Sequence, residues 1–256
     1  MNSSNLRVHI SPVGFDPVDR IAGPLLQYKA DKVYLVSKGK NDRASLNMTQ
    51  IKAKLKEHPH IELHEVYVDI WDLFCCLEKF RSIFESERGN HIHVNVSTGS
   101  KITAIAGMLA CMLWKGAPYY AQLDYDGNGG NNRPATLLDT RKVQDTEFLP
   151  VYQINMPVPE SLQVLSIIDG KGSGSSSGRM SKKELIEELQ QLKIIPVYPP
   201  SKSRSAPHSR LRAILDSLEL QWQFVETRSR GRSSEVSLTE QGKSALRIFG
   251  TGKGVL

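Results

Sequence analysis

Two hydrophobic patterns alternate through the first half of the chain. Short β-type runs at Leu6–Ile10, Lys32–Ser37, Ile61–Val68, His91–Val96 and Pro118–Leu123 read as strands. Between them lie longer stretches with apolar residues at helical spacing. The first, about 16–28, has Asp16 as a cap and Pro17 at its first helical position. The second, 45–57, carries Leu46, Ile51 and Leu55 on one side, and the third, 71–87, carries Leu73, Leu77, Phe80 and Phe84. The fourth, Thr98–Trp114, is apolar almost throughout. Strand–helix repeated four times and then a strand predicts an α/β domain. Its mostly parallel sheet has helices on both faces and right-handed crossovers. Residues 124–135 are rich in Gly and Asn and read as a loop or hairpin turn. Ala135–Leu138 and Phe148–Ile154 are strand-like pieces that extend the sheet.

Pro157 and Pro159 mark a boundary, dividing the chain into domains at 1–156 and 157–256. Helical spacing resumes at Glu160–Ile168, and a Gly/Ser stretch at 170–178 reads as a mobile turn or linker. Ser181 and Glu184 form a capping box for a helix through Leu192. A proline-broken basic segment follows, then a helix at about 206–219, a strand at 222–227, a basic turn SRGRSS, a return strand at 235–238, and a helix capped by Thr239. Helix, helix, helix, strand, turn, strand, helix is the order of a winged helix-turn-helix domain.

Composition agrees with folded domains: 39% of the 256 residues are hydrophobic and 23% charged. The longest uncharged apolar run, Ile102–Trp114, is too short to span a bilayer. The first residues lack the apolar core of a signal peptide, so the expected location is cytoplasmic. Cys75, Cys76 and Cys111 show no zinc spacing and read as core residues rather than a disulfide framework. Charge is uneven. Residues 170–256 hold 15 Lys and Arg against 8 Asp and Glu, whereas the rest of the chain is nearly balanced. A basic C-terminal module suggests a nucleic-acid partner. In a winged helix, the third helix enters the major groove and the hairpin reaches the adjacent backbone. His208, Ser209, Arg210 and Arg212 lie at the start of that helix, Lys202 and Arg204 precede it, and Arg228, Arg230 and Arg232 occupy the wing. These are the candidate contacts to double-stranded DNA, mostly through phosphate. The segment Val236–Leu246 resembles the wing-to-helix segment of MarR-like and ArsR-like regulators.

The sharpest N-terminal motif is Asn95-Val-Ser-Thr-Gly-Ser-Lys-Ile-Thr103, which leaves the fourth strand and opens the apolar helix. Ser97, Thr98, Gly99, Ser100 and Lys101 bring hydroxyls, backbone N–H groups and a cation to a helix N-terminus, a combination suited to phosphate. The spacing is neither a Walker motif nor a dinucleotide fingerprint. An alternative is a tight turn with Thr98 as an ordinary cap. The loop after the first strand, Ser11-Pro-Val-Gly-Phe-Asp16, lies at the same sheet edge, and the two loops meet if the first strand lies between the second and fourth. Asp16 serves there as ligand group or as cap. The histidines, including His9, His91 and His93, show no metal-binding spacing, so no metal is expected.

Ile10–Asp16 and Asn95–Lys101 together resemble the loops of CARF domains, the Rossmann-like sensors associated with CRISPR systems. With the winged helix, the chain resembles archaeal Csa-type and haloarchaeal transcriptional regulators over nearly its whole length. Family members commonly carry a Thr-Gly-Gly-Thr or Ser-Gly-Gly-Thr type loop, where this chain has Ser-Thr-Gly-Ser-Lys. The resemblance implies a homodimer with a shared pocket for a cyclic oligonucleotide, cyclic tetra-adenylate being the probable ligand. Ser11, Gly14 and Phe15 would line one wall, and Ser97 to Lys101 would hold phosphate or ribose. The expected function is ligand-responsive transcription regulation with no catalytic residue assigned. The alternatives are a ring nuclease that degrades cyclic oligoadenylate and a protein-interaction module that does not bind DNA.

Overall fold

The computed structural model describes residues 5–39, 44–124, 142–172, 179–197, 206–230 and 233–250. The chain forms two compact units, Met1–Asn155 and Met156–Leu256.

The first unit alternates β1 (Arg7–Pro12), α1 (Asp19–Gln27), β2 (Lys32–Ser37), α2 (Ser45–Leu55), β3 (Glu62–Tyr67), α3 (Leu73–Ser86), β4 (His91–Asn95), α4 (Lys101–Trp114), β5 (Ala117–Leu123) and β6 (Val143–Phe148). The sheet order is β3-β2-β1-β4-β5-β6, parallel except for the last strand. β1 therefore lies between β2 and β4, with His9 opposite Val33 on one side and His93 on the other. Val33, Leu35, Ile21, Leu25, Ile51 and Leu55 form a buried cluster between the sheet and α1 and α2. Phe80 and Leu77 of α3 are also buried. Gly107 lets α4 approach β4: a Cβ there would lie 2.9 Å from a Val94 methyl.

Local chemistry sets the ends of these elements. Asp72 caps α3 by accepting from the N–H groups of Phe74 and Cys75. The first helix begins later than its sequence suggests, at Asp19 with Val18 as the uncapped N-cap, because Asp16 is engaged elsewhere. The closing strand runs over 143–148, not 148–154. The Leu149 N–H donates to the Pro118 carbonyl, and Pro150 then has no N–H to continue the ladder. The strand-like piece at 135–138 lies outside the described residues. Cys76 and Cys111 are buried free thiols, and Cys75 is half-buried.

The second unit contains α5 (Pro159–Gly172), β7 (Met180–Ser181), α6 (Lys182–Gln191), α7 (Ala206–Asp216), a π-helical turn (Ser217–Gln221), β8 (Val225–Arg230), β9 (Ser233–Leu238) and α8 (Glu240–Phe249). The Ser181–Glu184 capping box forms with both of its hydrogen bonds, and Thr239 caps α8 through the Gly242 N–H. Leu165, Leu185, Leu189, Leu211, Leu215 and Val236 pack into one core beneath the antiparallel sheet β7-β9-β8. The strands run further into the wing than the SRGRSS turn suggests, since Arg230 pairs with Ser233. Most of the Gly/Ser stretch, 173–178, lies outside the described residues. Among the described residues no helix is long and apolar enough to cross a membrane.

Candidate functional site

The carboxyl ends of adjacent parallel strands converge on one edge of the sheet, and there β1 and β4 release their loops side by side. Two glycines set the approach. A Cβ on Gly14 would lie 3.0 Å from the Gly99 Cα, and Gly99 has a φ of +82° that other residues rarely adopt. Side chains then tie the loops together. The Thr98 hydroxyl donates to the Pro12 carbonyl at 2.7 Å, and the Gly99 N–H donates to the Asp16 carboxylate at 2.9 Å. Asn47 of α2 donates to the carbonyls of Gly14 and Asp16.

Behind the loops, Arg20 is nearly buried and each of its three guanidinium nitrogens donates a hydrogen bond. Its guanidinium reaches Asp16 at 3.1 Å, the Ala121 carbonyl at 2.9 Å and the Tyr120 hydroxyl at 2.8 Å. It also lies over the Tyr120 ring. Burial pushes the Asp16 carboxyl above its ordinary range, against the opposing pull of the Gly99 N–H and Arg20. Asp16 is thus a tertiary strut between loops and not the helix cap. The cap of α4 is Ser100, which accepts from the Thr103 N–H and donates to the Ile70 carbonyl, so the loop after β3 joins the same assembly. Thr98, the alternative cap, points inward.

The structure divides the sequence-derived ligand residues into two groups. Gly14, Phe15, Ser97, Gly99, Ser100 and Lys101 come to the surface together, with Phe15 48% exposed and Lys101 exposed at the first turn of α4. Ser11 is fully buried in β1 and Thr98 nearly so, so neither side chain offers a ligand any surface in this conformation. The hydroxyls of the β4–α4 loop are also committed: Ser97 donates to the Asn95 carboxamide, Thr98 to Pro12 and Ser100 to Ile70. Their role in the structure is to build the loop. Lys101, Phe15 and the backbone remain as the groups that face outward. Arg20 and Asn47 were not singled out in the sequence, and Asn95 stood there only as the first residue of the 95–103 motif. Asn47 carried a signal, being a polar residue four positions before Ile51 on the buried side of α2.

In the second unit, His208, Ser209, Arg210 and Arg212 are exposed along α7, while Leu211, Ile214 and Leu215 face the core. Arg210 reaches both carboxylate oxygens of Glu160, at 2.9 and 3.1 Å. Arg212 pairs with Asp216 at 3.5 Å and Arg228 with Glu226 at 3.2 Å. Lys202, Arg204, Arg232 and the side chain of Arg230 lie outside the described residues. Among the described residues no group of three or more His, Cys, Asp or Glu is arranged to hold a metal ion.

Comparison with known proteins follows the same division. Residues 7–125 match the family model described as HFX_2341_N:-like, N-terminal, and residues 160–250 match the DUF6293 C-terminal winged helix domain. The chain pairs an alternating α/β domain, matched by the first model, with a winged-helix domain, matched by the second. An uncharacterized protein of Methanocaldococcus jannaschii is 33% identical over 191 residues, 65% of this chain and 57% of that protein. The chain thus spans little more than half the length of the curated relative it matches. Csm6 of Enterococcus italicus, solved with cyclic hexa-2'-fluoro-hexa-dAMP, aligns with a TM-score of 0.41 and 13% identity, over 85% of this chain and 56% of that one. Can2 of Sulfobacillus thermosulfidooxidans, solved with cyclic tetra-adenylate, gives 0.40 and 12%, over 95% and 64%. Likenesses this distant carry nothing about the ligand of this chain.

Proposed function

We propose that the chain is a ligand-responsive transcription regulator, in which a dimer of the CARF-like domains binds a cyclic oligoadenylate and the winged helices bind duplex DNA. The observation that carries this reading is the joining of the β1 and β4 loops at the sheet edge, Gly14 against Gly99, with Lys101 exposed beside them. A helix N-terminus with a cation beside it favours an anion. An anion that takes the Gly99 N–H must displace the Asp16 carboxylate, which ties ligand binding to the strut through Arg20 to β5. Such a tie supplies the differential affinity between two states that a regulator requires. The exposed cationic residues of α7 support the DNA half of the reading.

Calorimetric titration with a panel of cyclic oligoadenylates tests the first half. The expected result is saturable binding at one ligand per dimer and a change in affinity for labelled promoter DNA when the ligand is present. An absence of binding across the panel removes the signalling role. Loss of the ring during incubation, abolished by Lys101→Ala, would make the protein a ring nuclease instead. DNA binding is tested separately. Arg212→Ala is expected to reduce the slope of log affinity against log salt concentration by about one, the signature of one lost phosphate contact. An unchanged slope would take α7 out of the interface.

A further inference from the structure

At the sheet edge opposite the joined loops, α3 and α4 both end beside the start of β4, and a cavity of about 320 Å³ lies there. This volume is at the small end of ligand sites, which run roughly 300–1,000 Å³, and suits a body of one or two rings.

The floor is apolar. Phe84 of α3, Ile92 of β4 and Leu113 of α4 are buried. Trp114 is only partly buried and stands against Phe84, with ring centroids 5.9 Å apart, so an aromatic wall rises from the floor. Gly116 permits this packing, since a Cβ there would fall 2.7 Å from the Phe84 ring.

The polar groups of the wall divide into used and unused. Glu87 is buried and saturated: Lys32 at 3.0 Å and the Tyr34 hydroxyl at 2.5 Å donate to one oxygen, and Asn90 at 2.8 Å donates to the other. The Asn90 carboxamide oxygen accepts in turn from the Leu6 N–H. Glu85 is paired with Arg81 at 2.8 Å. Both carboxylates thus have cationic partners within the protein. Arg88 and Lys115 do not pair in this way. They are exposed at the rim, and neither side chain has a partner among the described residues.

Cations at the carboxyl end of a helix have an ordinary use, since each such end carries roughly half a negative charge. The balance decides the sign of a ligand. Two full charges against two halves leave an excess of about one positive charge, which a monoanion offsets and an amine would increase. We infer that this cavity is a binding site for a small aromatic monocarboxylate, with its ring on Phe84 and Trp114 and its carboxylate between Arg88 and Lys115. The site shares no residue with the β1 and β4 loops, and its ligand is not the cyclic oligoadenylate of the reading above.

The test titrates the full chain with three matched probes, phenylacetate, phenethyl alcohol and phenethylamine, by ligand-observed NMR. Phenylacetate is expected to saturate the wild type at millimolar concentration. The alcohol should bind on the order of tenfold more weakly, for want of charge-assisted hydrogen bonds, and the amine should not bind. Arg88→Gln combined with Lys115→Asn should bring the acid down to the level of the alcohol. Both positions are exposed, and asparagine accepts the left-handed backbone at 115, where φ is +64°. Trp114→Leu should weaken the acid and the alcohol alike. Absence of saturable phenylacetate binding, equal binding of acid and alcohol, or preference for the amine overturns the site. Phenylacetate binding left unchanged in either variant overturns it too, because the acid would then be held elsewhere. Cyclic oligoadenylate titrated into the same variants should behave as with the wild type, so the failure of either reading leaves the other standing.

Discussion

Gly99→Ala is expected to destabilise the N-terminal unit by about 2–4 kcal/mol, a strained φ and a steric clash acting together. The φ of +82° already penalises a side chain, and the added Cβ would fall 2.6 Å from the Pro12 Cβ and 2.7 Å from the Thr103 hydroxyl oxygen. Neither neighbour yields easily. Pro12 is the last residue of the central strand, and the Thr103 hydroxyl donates to the Ser100 carbonyl within the cap of α4. Gly89→Ala is the matched control. Its φ is +96°, but its Cβ would meet nothing within 4 Å, so only the dihedral cost of about 1 kcal/mol applies. Denaturant titration followed by hydrogen exchange in peptides of β1 and β4 separates the two. Equal losses in both variants would mean that the loops are not held in contact. A larger loss at Gly99 would establish that the joined-loop geometry is built into the fold. The same substitution would also move the Gly99 N–H away from Asp16, so it should raise exchange at the start of α1 as well.

The fold was legible because its signals are local. Alternating strands and helices follow from periodicity and connection rules that require no knowledge of tertiary partners, whereas the place of β1 between β2 and β4 was a condition that the sheet order meets. The capping residues divide along the same line. Ser181, Thr239 and their partners lie within four residues of one another and were readable. Asp16 was not. It stands before a proline and ahead of a helix, where a cap belongs, yet its carboxylate is taken by a glycine N–H 83 positions away. Thr98 illustrates the same competition, since its hydroxyl goes to Pro12 on the neighbouring strand and leaves the cap to Ser100. At the candidate site, the sequence identified the two loops but not which hydroxyls would be spent in building them. Arg20 escaped notice because one arginine in a helix looks like a solvated charge. Only the fold brings Ala121 and Tyr120, a hundred residues later, within its reach.

Acidification from pH 7.5 to 5 is expected to lower the stability of the N-terminal unit by about 2 kcal/mol through His9 alone. His9 is fully buried in the central strand. Its Nε2 lies 3.1 Å from His93 Nδ1, and its Nδ1 lies 3.5 Å from the Tyr119 hydroxyl. Burial pushes its pKa down to about 3, and the nearby His93 and Arg7 push in the same direction. The unfolded chain binds a proton at His9 near pH 6.5, whereas the folded chain does not until about pH 3, so stability is full above the first value and falls steadily below it. His93, also lowered by burial, adds to the loss with the same sign. In this window the raised Asp16 carboxyl works in the opposite sense, taking up its proton in the folded chain before the unfolded one, so it is the comparison with His9→Gln that isolates the imidazole. Asp31, held down to about 2 by Arg7, loses its contribution only as pH falls below the ordinary carboxylate range. His9→Gln removes the principal titrating group, so its stability should be flatter between pH 7.5 and 5 whatever its absolute value. Hydrogen exchange in peptides of β1 and β4 across this range measures the slope. A slope unchanged by His9→Gln would mean that the imidazole is protonated in the folded sheet, and the buried His9–His93 contact would then have to be an ion-assisted pair.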